Sequence, residues 1–82
     1  MKLIFSDHAL GRMAKRQLKR SWVENVINTP LRIEADKTDP QLEHLFGTVP
    51  ELADRVLRVI VSKAEPKRVI TVHLDRKMKG NL

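Results

Sequence analysis

Histidine and arginine side chains at two places in this chain have the types and spacing for phosphate chemistry. His8, Arg12 and Arg16 fall at i, i+4 and i+8, with Lys15 beside them. On a helix these four occupy one narrow arc, and Ala9, Leu10, Met13 and Ala14 occupy the other side. A neutral imidazole beside guanidiniums is a candidate general base next to a phosphate. Its plain alternative is a first-turn residue packed against a sheet edge. Lys19 and Arg20 extend the basic ridge. Arginine forks suit phosphate oxygens, and they read position rather than base sequence. A step of four residues rises about 6 Å along a helix, close to the phosphate repeat of a single strand. An ordinary solvated helix face has the same composition, and it would suit an acidic protein partner equally.

His73 and Arg58 form the second group, with Arg76, Lys77 and Lys79 following. Metal-free ribonuclease chemistry needs a base for the 2′-hydroxyl, an acid for the leaving 5′-oxygen and cations for the phosphorane. His73 suits either proton role, and Arg58 or Arg76 suits the phosphorane. The candidate catalytic residues are therefore His8, His73 and Arg58. The candidate RNA contacts are Arg12, Lys15, Arg16, Lys19, Arg76 and Lys77. His44 lies on the Leu42/Phe46 side of its segment, which favours a structural role. The three histidines fit no zinc spacing, the acids are dispersed and no glycine-rich phosphate loop occurs, so no metal or cofactor is expected. One Trp, two Phe and no Tyr argue against a base-stacking platform, and Trp22 reads as core.

The elements that must hold these residues follow from periodicity. Lys2–Phe5 is a short apolar strand. Ser6 is placed to cap a helix running to about Leu18, with Asp7 at the positive end of its dipole. Ser21 and Glu24 predict the capping box of a second helix, whose apolar face is Trp22, Val23, Val26 and Ile27. Pro30 ends it. From Leu31 the period changes. Strands are expected over 31–36 and 41–48, with Gly47 marking a bulge or the end. The strongest strand signals are Arg55–Ser62 and Arg68–Asp75, joined as a hairpin through 63–67. A frayed tail is expected from Met78. Alternation puts Ile70, Val72 and Leu74 under the helices with Leu57, Val59 and Val61. Arg58, Thr71 and His73 then gather on the face away from the helices, apart from His8 unless it reaches round the sheet edge. The expected fold is α+β: two N-terminal helices on one face of a small, mainly antiparallel sheet of four or five strands, in the order β-α-α-β-β-β-β.

The 82 residues make a single domain, 1–82, with a thin core. There is no cysteine, so disulfides, thiolate nucleophiles and Cys-based zinc sites are excluded. MKLIF is too short and too soon interrupted for a signal peptide, and no apolar run reaches the roughly 20 residues of a membrane span. A cytoplasmic protein with no membrane partner is expected. The net charge is +6 and it is segregated. Residues 1–20 hold six Lys/Arg and one acid, 21–54 hold two and seven, and 55–82 hold eight and two. The two basic ends together would attract a polyanion.

Phe5, His8, Arg12, Met13, Arg16, Val26, Ile27, Asn28 and Pro30, in F-S-D-H-A-L-G-R-M-A-K-R-Q-L followed by W-V-E-N-V-I-N-T-P, carry a resemblance. The chain resembles the domain of unknown function 4258 family, whose H-x-x-x-R-M-x-x-R helix precedes an N-x-P turn and a β-meander. That family is similar in layout to RelE/ParE- and BrnT-like toxins, many of which are metal-independent ribonucleases neutralised by an antitoxin. The resemblance implies a RelE-like fold, an RNA partner, free or ribosome-associated, and a cognate antitoxin protein. His8, Arg12 and Arg16 match the family's helix motif and Thr71 its late strand threonine. Where members often carry an aromatic after that threonine, this chain has His73. The leading expectation is a toxin-like endoribonuclease that cleaves through 2′-hydroxyl attack on the adjacent phosphate. The alternative is a non-catalytic basic module that binds nucleic acid or an acidic protein.

Overall fold

The change from helical to alternating periodicity at Leu31 divides the chain, and the computed structural model, which describes residues 2–82, follows that division. Strand β1 (Leu3–Phe5) precedes helices α1 (Asp7–Arg16) and α2 (Arg20–Asn28). Strands β2 (Arg32–Ala35), β3 (Leu42–Val49), β4 (Arg55–Ser62) and β5 (Lys67–Leu74) follow, with short 3-10 turns at Pro50–Leu52 and Arg76–Met78. The five strands form one mixed sheet in the order β1-β5-β4-β3-β2. Among the described residues only the β1–β5 pair is parallel. This is the expected α+β fold with both helices on one face. Ala9 and Met13 of α1 and Trp22, Val23, Val26 and Ile27 of α2 pack on Leu45, Val49, Leu57, Val59, Val61, Val69 and Val72. Trp22 is core, and its indole N–H donates to Glu51 Oε2 at 3.2 Å.

The helix boundaries differ from expectation for a local reason. Gln17 adopts φ +55° and closes α1 early. Its N–H donates to Ala14 O, and the Leu18 N–H donates to Met13 O at 2.8 Å. This is a left-handed helix cap made without glycine. Leu18 is thereby buried in the connection, and α2 starts at Arg20, two residues too early for a Ser21 cap. The capping box does not form. Lys19 is the N-cap residue, without a side-chain cap bond, and Glu24 pairs instead with Arg20 at 3.0 Å.

Gly47 does not mark a bulge, because β3 runs through it to Val49. A Cβ there would lie 2.8 Å from Val26 Cγ2, so Gly47 is the point where α2 sits directly on the sheet. The irregularity lies in β5. Ile60 pairs with Thr71 but Val61 pairs with Val69, which leaves Ile70 as the extra residue. Val69 and Val72 are therefore fully buried, and Ile70, expected in the core, is only half-buried. The expected frayed tail is partly folded, since Arg76–Met78 forms a turn capped by Asp75.

Candidate phosphate cleft at the sheet edge

The bulge in β5 sets the direction of α1. Strand β1 covers only Lys67–Val69 of β5, and Ser6 ends that pairing. The Ser6 N–H donates to Val69 O at 3.0 Å, and its hydroxyl donates to the bulged Ile70 O at 2.8 Å. The same hydroxyl oxygen accepts from the Ala9 N–H at 3.0 Å, capping α1 as its sequence predicts. One side chain thus ends a strand, starts a helix and anchors both to the sheet. From there α1 packs against β5, and Arg12 and Arg16 follow Ser6 by roughly two and three helical turns.

The result is an open cleft of about 240 Å³ lined by Arg12, Arg16, Arg55, His73, Leu74 and Arg76. It straddles the sheet edge. Leu74 shares the helix-side face with Leu57, whereas His73 is on the far face opposite Arg58. Arg55 pairs with Val49 on the helix side at the start of β4. The Asp75 N–H donates to Val56 O at 2.8 Å, which brings Arg76 to the same end of the sheet as Arg55. Four guanidinium side chains therefore surround one imidazole, and no carboxylate lines the cleft. Arg12 is half-buried, and its Nε is enclosed without a hydrogen-bond partner.

His73 is held below its ordinary value of 6.5, first by burial and next by the Arg58 charge. Asp75 opposes the shift, and Arg12 and His44 add to it. The ring therefore favours the neutral form at neutral pH, as a general base requires.

Arg58 stands behind His73 and does not line the cleft. Its NH2 is 2.6 Å from Asp75 Oδ2, its NH1 is 3.3 Å from His44 Nδ1, and its guanidinium lies 4.6 Å from the centre of the buried Phe46 ring. Because NH1 can only donate, His44 Nδ1 accepts, and this assigns the other ring proton to Nε2. Nε2–H donates to Asp36 Oδ1 at 2.7 Å. The His44 bond, with N–H groups of Thr38 and Asp39, holds the Asp36 carboxyl well below the usual carboxylate range. A polar chain Asp36–His44–Arg58–Asp75 thus crosses the far face. It accounts for His44 as a structural histidine and keeps Arg58 engaged with protein partners.

Among the residues singled out in the sequence, the structure brings together Arg12, Arg16, His73 and Arg76. His8 is exposed and does not line the cleft. Lys15, Lys19 and Lys77 are exposed and also lie outside its lining, and Lys19 Nζ sits 5.6 Å from the Trp22 ring centre. Arg55 went unmarked in the sequence. Its parity with Leu57, Val59 and Val61 was a usable signal, because it places Arg55 on the helix side where that strand begins. Among the described residues, no group of three or more His, Cys, Asp or Glu could hold a metal ion, and no helix is long and apolar enough to cross a membrane.

The family model described as Domain of unknown function (DUF4258) matches residues 5–73. The chain belongs to that family. The matched span begins at the strand before Ser6 and ends on His73, so in this DUF4258 chain it contains Arg12, Arg16, Arg55 and His73 but not Arg76. Comparison with curated proteins and with solved structures gives no match.

Proposed function

We propose that this protein is a toxin-like, metal-independent endoribonuclease with the layout of RelE/ParE- and BrnT-like toxins, acting in the cytoplasm and held in check by a cognate antitoxin. The observation that carries the reading is the arginine-lined cleft around His73, free of carboxylates. His73 takes the proton of a ribose 2′-hydroxyl. The freed oxygen attacks the adjacent phosphorus, the P–O5′ bond breaks, the leaving 5′-oxygen takes a proton from a water, and the protonated His73 returns its proton to the hydroxide so formed. The products are a 2′,3′-cyclic phosphate and a 5′-hydroxyl. Arg12, Arg16, Arg55 and Arg76 bind the scissile phosphate and its neighbours along the strand and stabilise the dianionic phosphorane. Arg58 and Asp75 position the ring from behind.

One observation favours a second reading, a module that binds RNA without cutting it. His73 is the one imidazole in the cleft, and phosphate binding alone needs no second proton carrier. Expression from a tightly controlled promoter separates the two. Under the first reading, growth stops as RNA is cleaved, and His73→Ala abolishes both effects. Intact RNA during wild-type expression overturns it and leaves the binding reading.

A further inference from the structure

The sheet has two edges, and they are finished differently. At one, the short β1 and helix α1 line β5. At the other, β2 is uncovered; Ile33 on it (58%) and Leu31 just before it (62%) are the most exposed large apolar side chains among the described residues. Helix α2 packs over β3 and β4 and leaves Ile33 open.

The hydrogen-bond phase of β2 decides what its edge offers. Asp36 N–H donates to Leu42 O, so residue 36 is in a hydrogen-bonded pair with β3. In an antiparallel ladder such pairs alternate, so Arg32 directs its backbone groups to Phe46 and Glu34 directs its own to His44 on β3. Ile33 and Ala35 then turn N–H and C=O outward. The Leu31 N–H is used by Phe46 O at 2.8 Å, which leaves its C=O.

We infer that this edge pairs with a second copy of the same chain, antiparallel, about a two-fold axis at Ile33, giving a continuous ten-stranded sheet. The sequence of β2 is self-complementary in that register. Ile33 faces the second copy's Ile33, and the two exchange both backbone bonds. Arg32 faces the second copy's Glu34, at a non-hydrogen-bonded position where side chains approach most closely. Leu31 faces the second copy's Ala35, whose N–H meets the free Leu31 C=O. The pairing covers the exposed apolar side chains and matches every charge in the strand with its opposite. A two-fold interface requires such self-complementarity. Arg32 and Glu34 already lie 2.7 Å apart on the far face, so the dimer closes a four-charge ring across the axis. The two arginine clefts would lie on the outer sides of the sheet, with seven strand spacings of about 4.8 Å between their β5 strands.

Sedimentation equilibrium of the full chain tests this, with circular dichroism confirming that each variant folds. Wild-type protein is expected at twice the 9.5 kDa chain mass. Ile33→Pro removes an outward N–H and no bond to β3, and halving of the mass is expected. Arg32→Glu sets like charges opposite each other and is also expected to halve it, whereas Arg32→Glu/Glu34→Arg restores the dimer. A monomeric wild type overturns the inference, which includes the case where a different protein's strand fills this edge. So does a dimer that survives Ile33→Pro, because it must use another surface. RNA cleavage is not read in this experiment, so its outcome is independent of the function proposed above.

Discussion

Removing Arg12 and Arg16 together should change how RNA binding depends on salt, by an amount the cleft itself sets. Four arginines line it. Each phosphate neutralised on a single strand contributes a slope of about −0.7 to log K against log salt, so the cleft accounts for about −2.8. Between 50 and 200 mM salt this term alone weakens binding by about 50-fold. In Arg12→Gln/Arg16→Gln the slope should become shallower by about 1.4, and the cleft term should then cost only about 7-fold over the same range. Glutamine keeps most of the aliphatic stem with which Arg12 packs. Fluorescence anisotropy with a labelled single-stranded RNA, repeated across salt concentrations, gives the slope directly. Charges elsewhere contribute to both proteins alike, so the difference isolates the pair. The control is Lys15→Gln/Lys19→Gln, one cation in the last turn of α1 and one at the N-cap of α2, neither of which lines the cleft. If both double variants shift the slope equally, the outer ridge of α1 is the binding surface and the cleft has no special part in it.

Three further outcomes follow from local geometry. His73 holds its proton less tightly in the folded chain than its ordinary value of 6.5, so the unfolded chain binds more protons just below that pH. Stability should be full above pH 6.5 and fall as pH drops from there toward the lowered value. Thermal melts of wild type and His73→Gln at pH 7.5 and 5.5 check this, and the variant should lose less on acidification. Gly47→Ala puts a methyl group 2.8 Å from Val26 Cγ2, and it should destabilise by about 1–3 kcal/mol in urea unfolding. Adding Val26→Ala, which on its own costs core packing, should remove most of that clash term, so the pair should be strongly non-additive. Gln17→Gly relieves a φ of +55° and should stabilise by about 1 kcal/mol, a rise of roughly 4–8 °C in Tm.

Much of this fold is written in short-range pattern. The period-2 runs of β4 and β5 and the apolar face of α2 gave the elements their places. Alternation also put Arg58 beside His73, which the register bears out. What the pattern does not carry is geometry set between elements. Nothing local marks Ile70 as the extra residue in β5, because its neighbours alternate without interruption. Yet that bulge supplies the carbonyl on which Ser6 anchors, and the anchor runs α1 along β5. Alternation alone therefore sets the two basic groups on opposite faces, with a reach of His8 round the sheet edge as their link. The structure brings Arg12 and Arg16 to His73 because β1 stops at Phe5 and leaves the rest of that edge to the helix. Gln17 is a similar case. A left-handed cap is foreseen where glycine or asparagine stands, and glutamine gives no such warning. Arg58 reads as free in the sequence because its partners His44 and Asp75 come from two other segments.

The most direct test of the central claim uses purified protein, an RNA oligonucleotide and a chelator. The cleft predicts cleavage without added metal, leaving 2′,3′-cyclic phosphate and 5′-hydroxyl ends. A DNA strand of the same sequence should stay intact, because it lacks the attacking hydroxyl. His73→Ala should bind the RNA within a few-fold of wild type and fail to cut it. RNA left whole by the wild-type protein, or cut equally well by His73→Ala, would contradict the account.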